Sequence, residues 1–179
     1  MNIFILNTGR CGSTTFIKAC AHISNYTAAH ESLCTHTGAA RLDYPDNHIE
    51  ADNRLSWILG RLDNRYGDNA IYVHLGRETE ATIRSFARRG EMGIMKAYRQ
   101  GILLGGNEQS AEDIAQDYID TVESNIELFL KNKSKTMTFR LESAKSDFRT
   151  FWKMIGAEGD LDSALAEWDI SYNASAVRK

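Results

Sequence analysis

A run of residues near the amino terminus, Thr8-Gly9-Arg10-Cys11-Gly12-Ser13-Thr14-Thr15, brings together two glycines, an arginine and a block of three hydroxyls. It follows a short apolar run, 2–7, and opens a segment, 13–23, that reads as a helix capped by Ser13 or Thr14. Backbone N–H groups at the start of a helix converge on one point, and the helix dipole adds partial positive charge there. Gly9 and Gly12 let the backbone come close to an anion, the hydroxyls add donors and Arg10 adds a full charge. The chemistry implied is a cradle for phosphate or sulfate; the plainer reading is an ordinary turn of small residues. It is not a Walker A loop, because Gly9 is followed five places on by Thr14 and the chain has no Gly-Lys pair in that context. A dinucleotide GxGxxG is also absent, and a cysteine phosphatase would need an arginine six places after Cys11, where Ile17 stands. Cys11 therefore reads as a small loop residue.

A second constellation lies at Arg77, just past the apolar run 70–75 and Gly76, with Ser85 eight residues later. Eight residues are about two helical turns, so both side chains can meet one anion only if the helix starts beside it. Arg84, Arg88 and Arg89 share the segment, and the alternative reading is an exposed basic face. A third group, Ala29-His30-Glu31-Ser32, follows a short expected strand at 25–29 and holds candidate proton acceptors, Glu31 first and His30 second. Lys18, one turn into the first helix, is a further cation for a leaving phosphate. No metal is expected: His22, His30, Cys34 and His36 match neither HExxH nor a common zinc spacing. Trp57, Trp152 and Trp168 read as core.

The stretch TGRCGSTTF resembles the 5′-phosphosulfate loop of sulfotransferases that use 3′-phosphoadenosine 5′-phosphosulfate (PAPS), whose common form is close to [P/G]-[R/K]-S-G-[S/T]-T. The resemblance gives Arg10 the place of the basic loop residue and Gly9, Gly12, Ser13, Thr14 and Thr15 the phosphate-binding places. Cys11 stands where serine is usual and would offer its backbone N–H. Arg77 and Ser85 are similar in identity and spacing to that family's 3′-phosphate-binding pair, without the proline that often follows the arginine. The tail Arg178-Lys179 looks like the family's Arg-Lys 3′-phosphate segment. The resemblance thus implies a P-loop-like sulfotransferase architecture, PAPS as co-substrate without a metal, and a hydroxyl on a carbohydrate or small molecule as acceptor. Arg10 and Lys18 would stabilise the leaving phosphate, and Glu31 or His30 would be the base. A nucleotide or phosphometabolite transferase with an atypical loop, and a non-catalytic nucleotide-binding module, are the competing readings.

The elements that must hold these residues follow from periodicity. Strands are expected at 2–7, 25–29, 70–75 and 135–140, and helices at 13–23, 48–66, 78–89, 110–132, 144–156 and 161–168. Ser110 and Asp113 resemble a capping box ahead of the stripe Ile114, Tyr118, Val122 and Ile126. Residues 31–47 read as irregular, and 90–108, with five glycines, as a segment that can hold a short helix near 93–103; the acceptor pocket is expected in 32–56 and 90–108, where Lys96 and Arg99 would favour an acidic acceptor. Alternating strands and helices predict an α/β fold of three layers, a mostly parallel sheet between helices, over 1–179 as a single domain. Ligands of such sheets sit at the carboxyl ends of the strands, where both arginine motifs fall. The chain has 179 residues and a formal net charge of −3, so nothing general attracts nucleic acid. The apolar start is too short to span a membrane, and three cysteines without a CxxC predict a reduced, cytoplasmic protein.

Overall fold

The computed structural model describes residues 1–106 and 108–172. Its sheet is built from β1 (Asn2–Leu6), β2 (Thr27–His30), β3 (His48–Ala51), β4 (Ala70–Gly76) and β5 (Thr136–Arg140). All neighbouring pairs are parallel, in the order β2-β3-β1-β4-β5. Parallel strands need crossover connections. These are supplied by α1 (Ser13–Cys20), α2 (Leu59–Tyr66), α3 (Thr79–Ala87), α4 (Gly93–Ala97) and α5 (Ala111–Leu130), with α6 (Ala144–Met154) and α7 (Leu161–Ala166) after the last strand. β2 reaches β3 through the segment 31–47, which contains a short 3-10 turn at Gly38–Leu42.

Side chains alternate across a strand, and this alternation makes two cores. Ile3 and Ile5 of β1 pack with Phe16 and Ala19 of α1, Phe148 and Trp152 of α6 and Leu165 of α7. Phe4 and Leu6 pack on the opposite face with Leu62 of α2, Ile83 and Phe86 of α3, and Ile114, Tyr118, Val122 and Ile126 of α5. The result is the expected three-layer α/β fold. Every residue of β1 and β4 is buried, as central parallel strands should be. Each fully buried large side chain contributes about 1.5–3 kcal/mol.

One expected element is wrong. Residues 48–66 do not form one helix: His48–Ala51 is β3, Asn53–Trp57 is a 3-10 turn, and only Leu59–Tyr66 is α-helical. The misreading comes from the polar residues of β3, whose four positions are all buried. His48 Nε2 lies 3.0 Å from Glu50 Oε2, and the Glu50 carboxylate also accepts from the Ser32 N–H at 2.8 Å and hydroxyl at 2.6 Å. Paired in this way, a histidine and a glutamate can occupy a buried strand. A smaller difference is the second strand, displaced to Thr27–His30, whereas the short helix expected near 93–103 is present as α4 running into a π-helical turn at Tyr98–Ile102. The first helix is capped not by a hydroxyl but by Gly12, at φ 95°. The Ser110–Asp113 capping box is present.

The order of strands creates a point at which the winding reverses. β1 sends its chain through α1 toward the β2 edge, whereas β4 sends its chain toward the β5 edge. β1 and β4 are neighbours, so their carboxyl ends open onto a crevice at which the winding changes direction, the usual ligand position in such sheets.

Candidate functional site

The loop after β1 is tied down from beneath before it presents anything to solvent. Asn7, completely buried, accepts from the Gly9 N–H at 2.8 Å and from the Cys11 thiol at 3.5 Å, and its own amide donates to the Ile5 carbonyl. Ser56 donates to the Asn7 carbonyl at 3.2 Å, and the Tyr118 hydroxyl of α5 donates to the Thr8 carbonyl at 2.7 Å. Gly9, Arg10 and Gly12 have φ values of 88°, 61° and 95°. Positive φ at three of the four positions 9–12 turns the chain tightly between β1 and α1. At Arg10 that conformation costs about 1 kcal/mol or more, because its Cβ crowds the backbone. Glycine is favoured at position 12 by its φ, and a Cβ there would lie 2.7 Å from Leu141 Cδ1 and oblige that side chain to shift.

α1 begins at Ser13, and its first intrahelical bond joins the Phe16 N–H to the Gly12 carbonyl at 2.9 Å. The amides of Ser13, Thr14 and Thr15 precede that bond. The Phe16 ring holds the helix in place, stacked edge-on against Phe139, Phe148 and Phe151 at 5.0–5.6 Å.

The two arginine motifs meet. Arg10 Nε donates to Ser85 Oγ at 3.0 Å, and the Arg77 guanidinium donates to the Arg10 carbonyl at 3.3 Å. α3 starts beside them because the Glu78 side chain accepts from the Glu80 and Ala81 N–H groups, a cap that replaces the absent proline. The Arg10 guanidinium is held below its ordinary pKa, first by burial and then by the positive charges of Arg89 and Arg77. Arg89 follows α3 and reads in the sequence only as part of a basic face; its electrostatic role beside Arg10 depends on how that helix ends. Burial pushes the Cys11 thiol up to about 12, so it stays a neutral donor and is no nucleophile.

A cavity of roughly 340 Å³ lies against this junction, lined by Arg10, Gly12, Ser13, Thr14, Thr15 and Arg77. Leu141 and the chain from Trp168 to Tyr172 form its other walls. Trp168 fills core with one face, 5.3 Å from the Phe139 ring, yet it also borders the cavity, and its indole N–H has no hydrogen-bond partner among the described residues. Tyr172 donates to Glu167, whose carboxylate is also 3.1 Å from His22 Nε2. No spacing pattern in the sequence marks Trp168 and Tyr172 as walls of the site; that follows from the way α7 lies on α1.

The proton-acceptor candidates separate. His30 Nε2 lies 3.0 Å from the Oγ of Ser13, a residue that lines the cavity, although His30 itself does not. The Glu31 carboxylate is engaged by Arg54 at 2.7 Å, and Arg54 is in turn capped through its N–H by the buried Asp52. Lys18 stands exposed one turn along α1 and does not line the cavity; its charge acts on Glu167. Gly9 and Cys11 shape the loop from below, whereas Arg178 and Lys179 lie outside the described residues. Among the described residues no group of three or more His, Cys, Asp or Glu side chains converges as a metal site, and no helix is long and apolar enough to cross a membrane.

The fold and the site thus define a three-layer α/β protein with a cavity, lined by Arg10, Arg77 and the first turn of α1, at the junction of β1 and β4. No family model matches the chain, and neither the curated proteins nor the solved structures yield a match.

Proposed function

We propose that the chain is a P-loop-like sulfotransferase that binds PAPS, with the 5′-phosphosulfate in the loop after β1 and the 3′-phosphate near Arg77 and Ser85. A hydroxyl on a carbohydrate or small molecule receives the sulfuryl group. The observation that carries this reading is the junction of Arg10, Arg77 and Ser85, linked at 3.0 and 3.3 Å beside one cavity. Two cations from adjacent strand ends beside one cavity suit a ligand with two separate anionic groups better than a single phosphate. Trp168 and Tyr172, which share the cavity, offer an aromatic wall for an adenine.

PAPS supplies the sulfuryl group. His30, oriented by Ser13, takes the proton of the acceptor hydroxyl as that oxygen bonds to sulfur. Arg10 and the first-turn amides of α1 neutralise the charge left on the 5′-phosphate as the sulfur–oxygen bond to it breaks. His30 is favoured over Glu31 because the Glu31 carboxylate is already committed to Arg54.

The test is calorimetric titration with 3′-phosphoadenosine 5′-phosphate against ATP, followed by transfer of labelled sulfate from PAPS to an acceptor panel. The bisphosphate is expected to bind more tightly than ATP, and transfer is expected to disappear in His30→Ala. A preference for ATP would point to a phosphometabolite transferase instead. Tight bisphosphate binding with no transfer to any acceptor would leave a nucleotide-binding module.

A further inference from the structure

A second cavity, of about 350 Å³, lies between the end of α3, α4 and the start of α5. Its walls carry Arg88, Arg89 and Arg99 against a single carboxylate, Glu91, giving three positive charges to one negative. The remaining lining is largely apolar and includes Met92, Met95 and Ile114. Met95 is buried, whereas Met92 is 65% exposed although its side chain is large and apolar. Arg99 is fixed in place by two contacts: its Nε donates to the Gly105 carbonyl at 2.9 Å, and its terminal nitrogen pairs with Glu91 at 2.6 Å. Glu91 is itself exposed, so an incoming anion can share or replace it at little cost. Ala111, the first residue of the 20-residue α5, also borders the cavity. Arg89, which lines this cavity, also adds to the positive field at Arg10.

We infer that this cavity is a binding site for an amphiphilic anion, a carboxylate or sulfate carried on an apolar body. The anionic group meets Arg88, Arg89 and Arg99, and the apolar body lies on Met92, Met95 and Ile114. The binding of such an anion is independent of the function proposed above.

The two are separated by following each cavity with its own reporter in the full-length chain. Methionine methyl resonances report on this cavity through Met92 and Met95, and the Trp168 indole N–H reports on the first. Titration with 4-phenylbutyrate is expected to shift the Met92 and Met95 methyls, with the uncharged 4-phenylbutanamide binding about tenfold or more weakly. The double variant Arg88→Gln/Arg99→Gln is expected to lose the preference for the carboxylate. Equal binding of acid and amide, or shifts at Trp168 with none at Met92 and Met95, would overturn the inference. The comparison of acid with amide uses the unaltered chain, so poor folding of the double variant does not leave the question open. A separate titration with 3′-phosphoadenosine 5′-phosphate that fails to move Trp168 would count against the proposed sulfotransferase and not against this site.

Discussion

Replacing Arg77 with alanine isolates the half of the proposed site that a 3′-phosphate would use. In the folded chain Arg77 makes one long hydrogen bond, 3.3 Å to the Arg10 carbonyl, and losing it costs at most about 1 kcal/mol. Against this, Arg77 is one of two positive charges that depress the Arg10 pKa, so its removal also relieves repulsion. Thermal stability should therefore change little. A charge-assisted bond to a phosphate is worth about 1.5–3 kcal/mol, or roughly 10–150-fold in affinity. The unaltered protein should accordingly prefer 3′-phosphoadenosine 5′-phosphate to AMP by about that factor. In Arg77→Ala the preference should collapse, with AMP affinity falling no more than roughly fivefold through the weakened loop contact. Isothermal titration of both nucleotides against both proteins completes the cycle. If Arg77→Ala weakens AMP and the bisphosphate equally, or leaves both unchanged, the assignment of Arg77 to a 3′-phosphate fails.

Gly12→Ala should destabilise the fold by about 1–3 kcal/mol, because the position has φ 95° and the added carbon would sit 2.7 Å from Leu141; adding Leu141→Ala should restore part of the melting temperature, and full stability in Gly12→Ala alone would contradict the loop geometry. Iodoacetamide at mildly alkaline pH should label the partly exposed Cys34 in the native protein and spare Cys11, whose thiol is pushed up to about 12; mass spectrometry showing equal labelling would refute that environment. The Glu167 carboxyl is held below its ordinary 4.5 by the Tyr172 hydroxyl and then by His22. A depressed carboxyl stabilises the fold above its unfolded pKa and loses that contribution as pH falls through the folded value. The Trp168 indole resonance should therefore shift in an acid titration below about 4.5, and the shift should vanish in Glu167→Gln; an identical titration curve in the variant would rule out the coupling.

The parts of this architecture that could be read from the sequence are those whose signal is local. β1 and β4 are predominantly apolar runs with both faces buried, and α5 carries a stripe of buried residues behind a capping box. The loop after β1 was legible as a candidate site because its glycines, arginine and hydroxyls are consecutive, and Arg10 and Gly12 to Thr15 do line one cavity. β3 was not, because its histidine and glutamate look exposed until Ser32 and each other are seen to satisfy them. Nor was Asn7, whose importance lies in bonds to Gly9 and Cys11 that only the folded turn creates. Trp168 carries no periodic mark of a cavity wall, and Arg89 is indistinguishable from Arg84 and Arg88 until the chain turns at the end of α3. Choosing between Glu31 and His30 needed Arg54 and Ser13, which are 23 and 17 positions away along the chain.

The anchoring of the first loop by Asn7, Ser56 and Tyr118 has a thermodynamic consequence. Those bonds restrict the backbone during folding, so little chain entropy remains to be lost when an anion arrives. Heating curves should then move upward with ligand concentration only as far as mass action demands. A specificity change, by the same logic, is better sought in rim side chains than in a redesigned loop, whose conformation is specified from three directions at once.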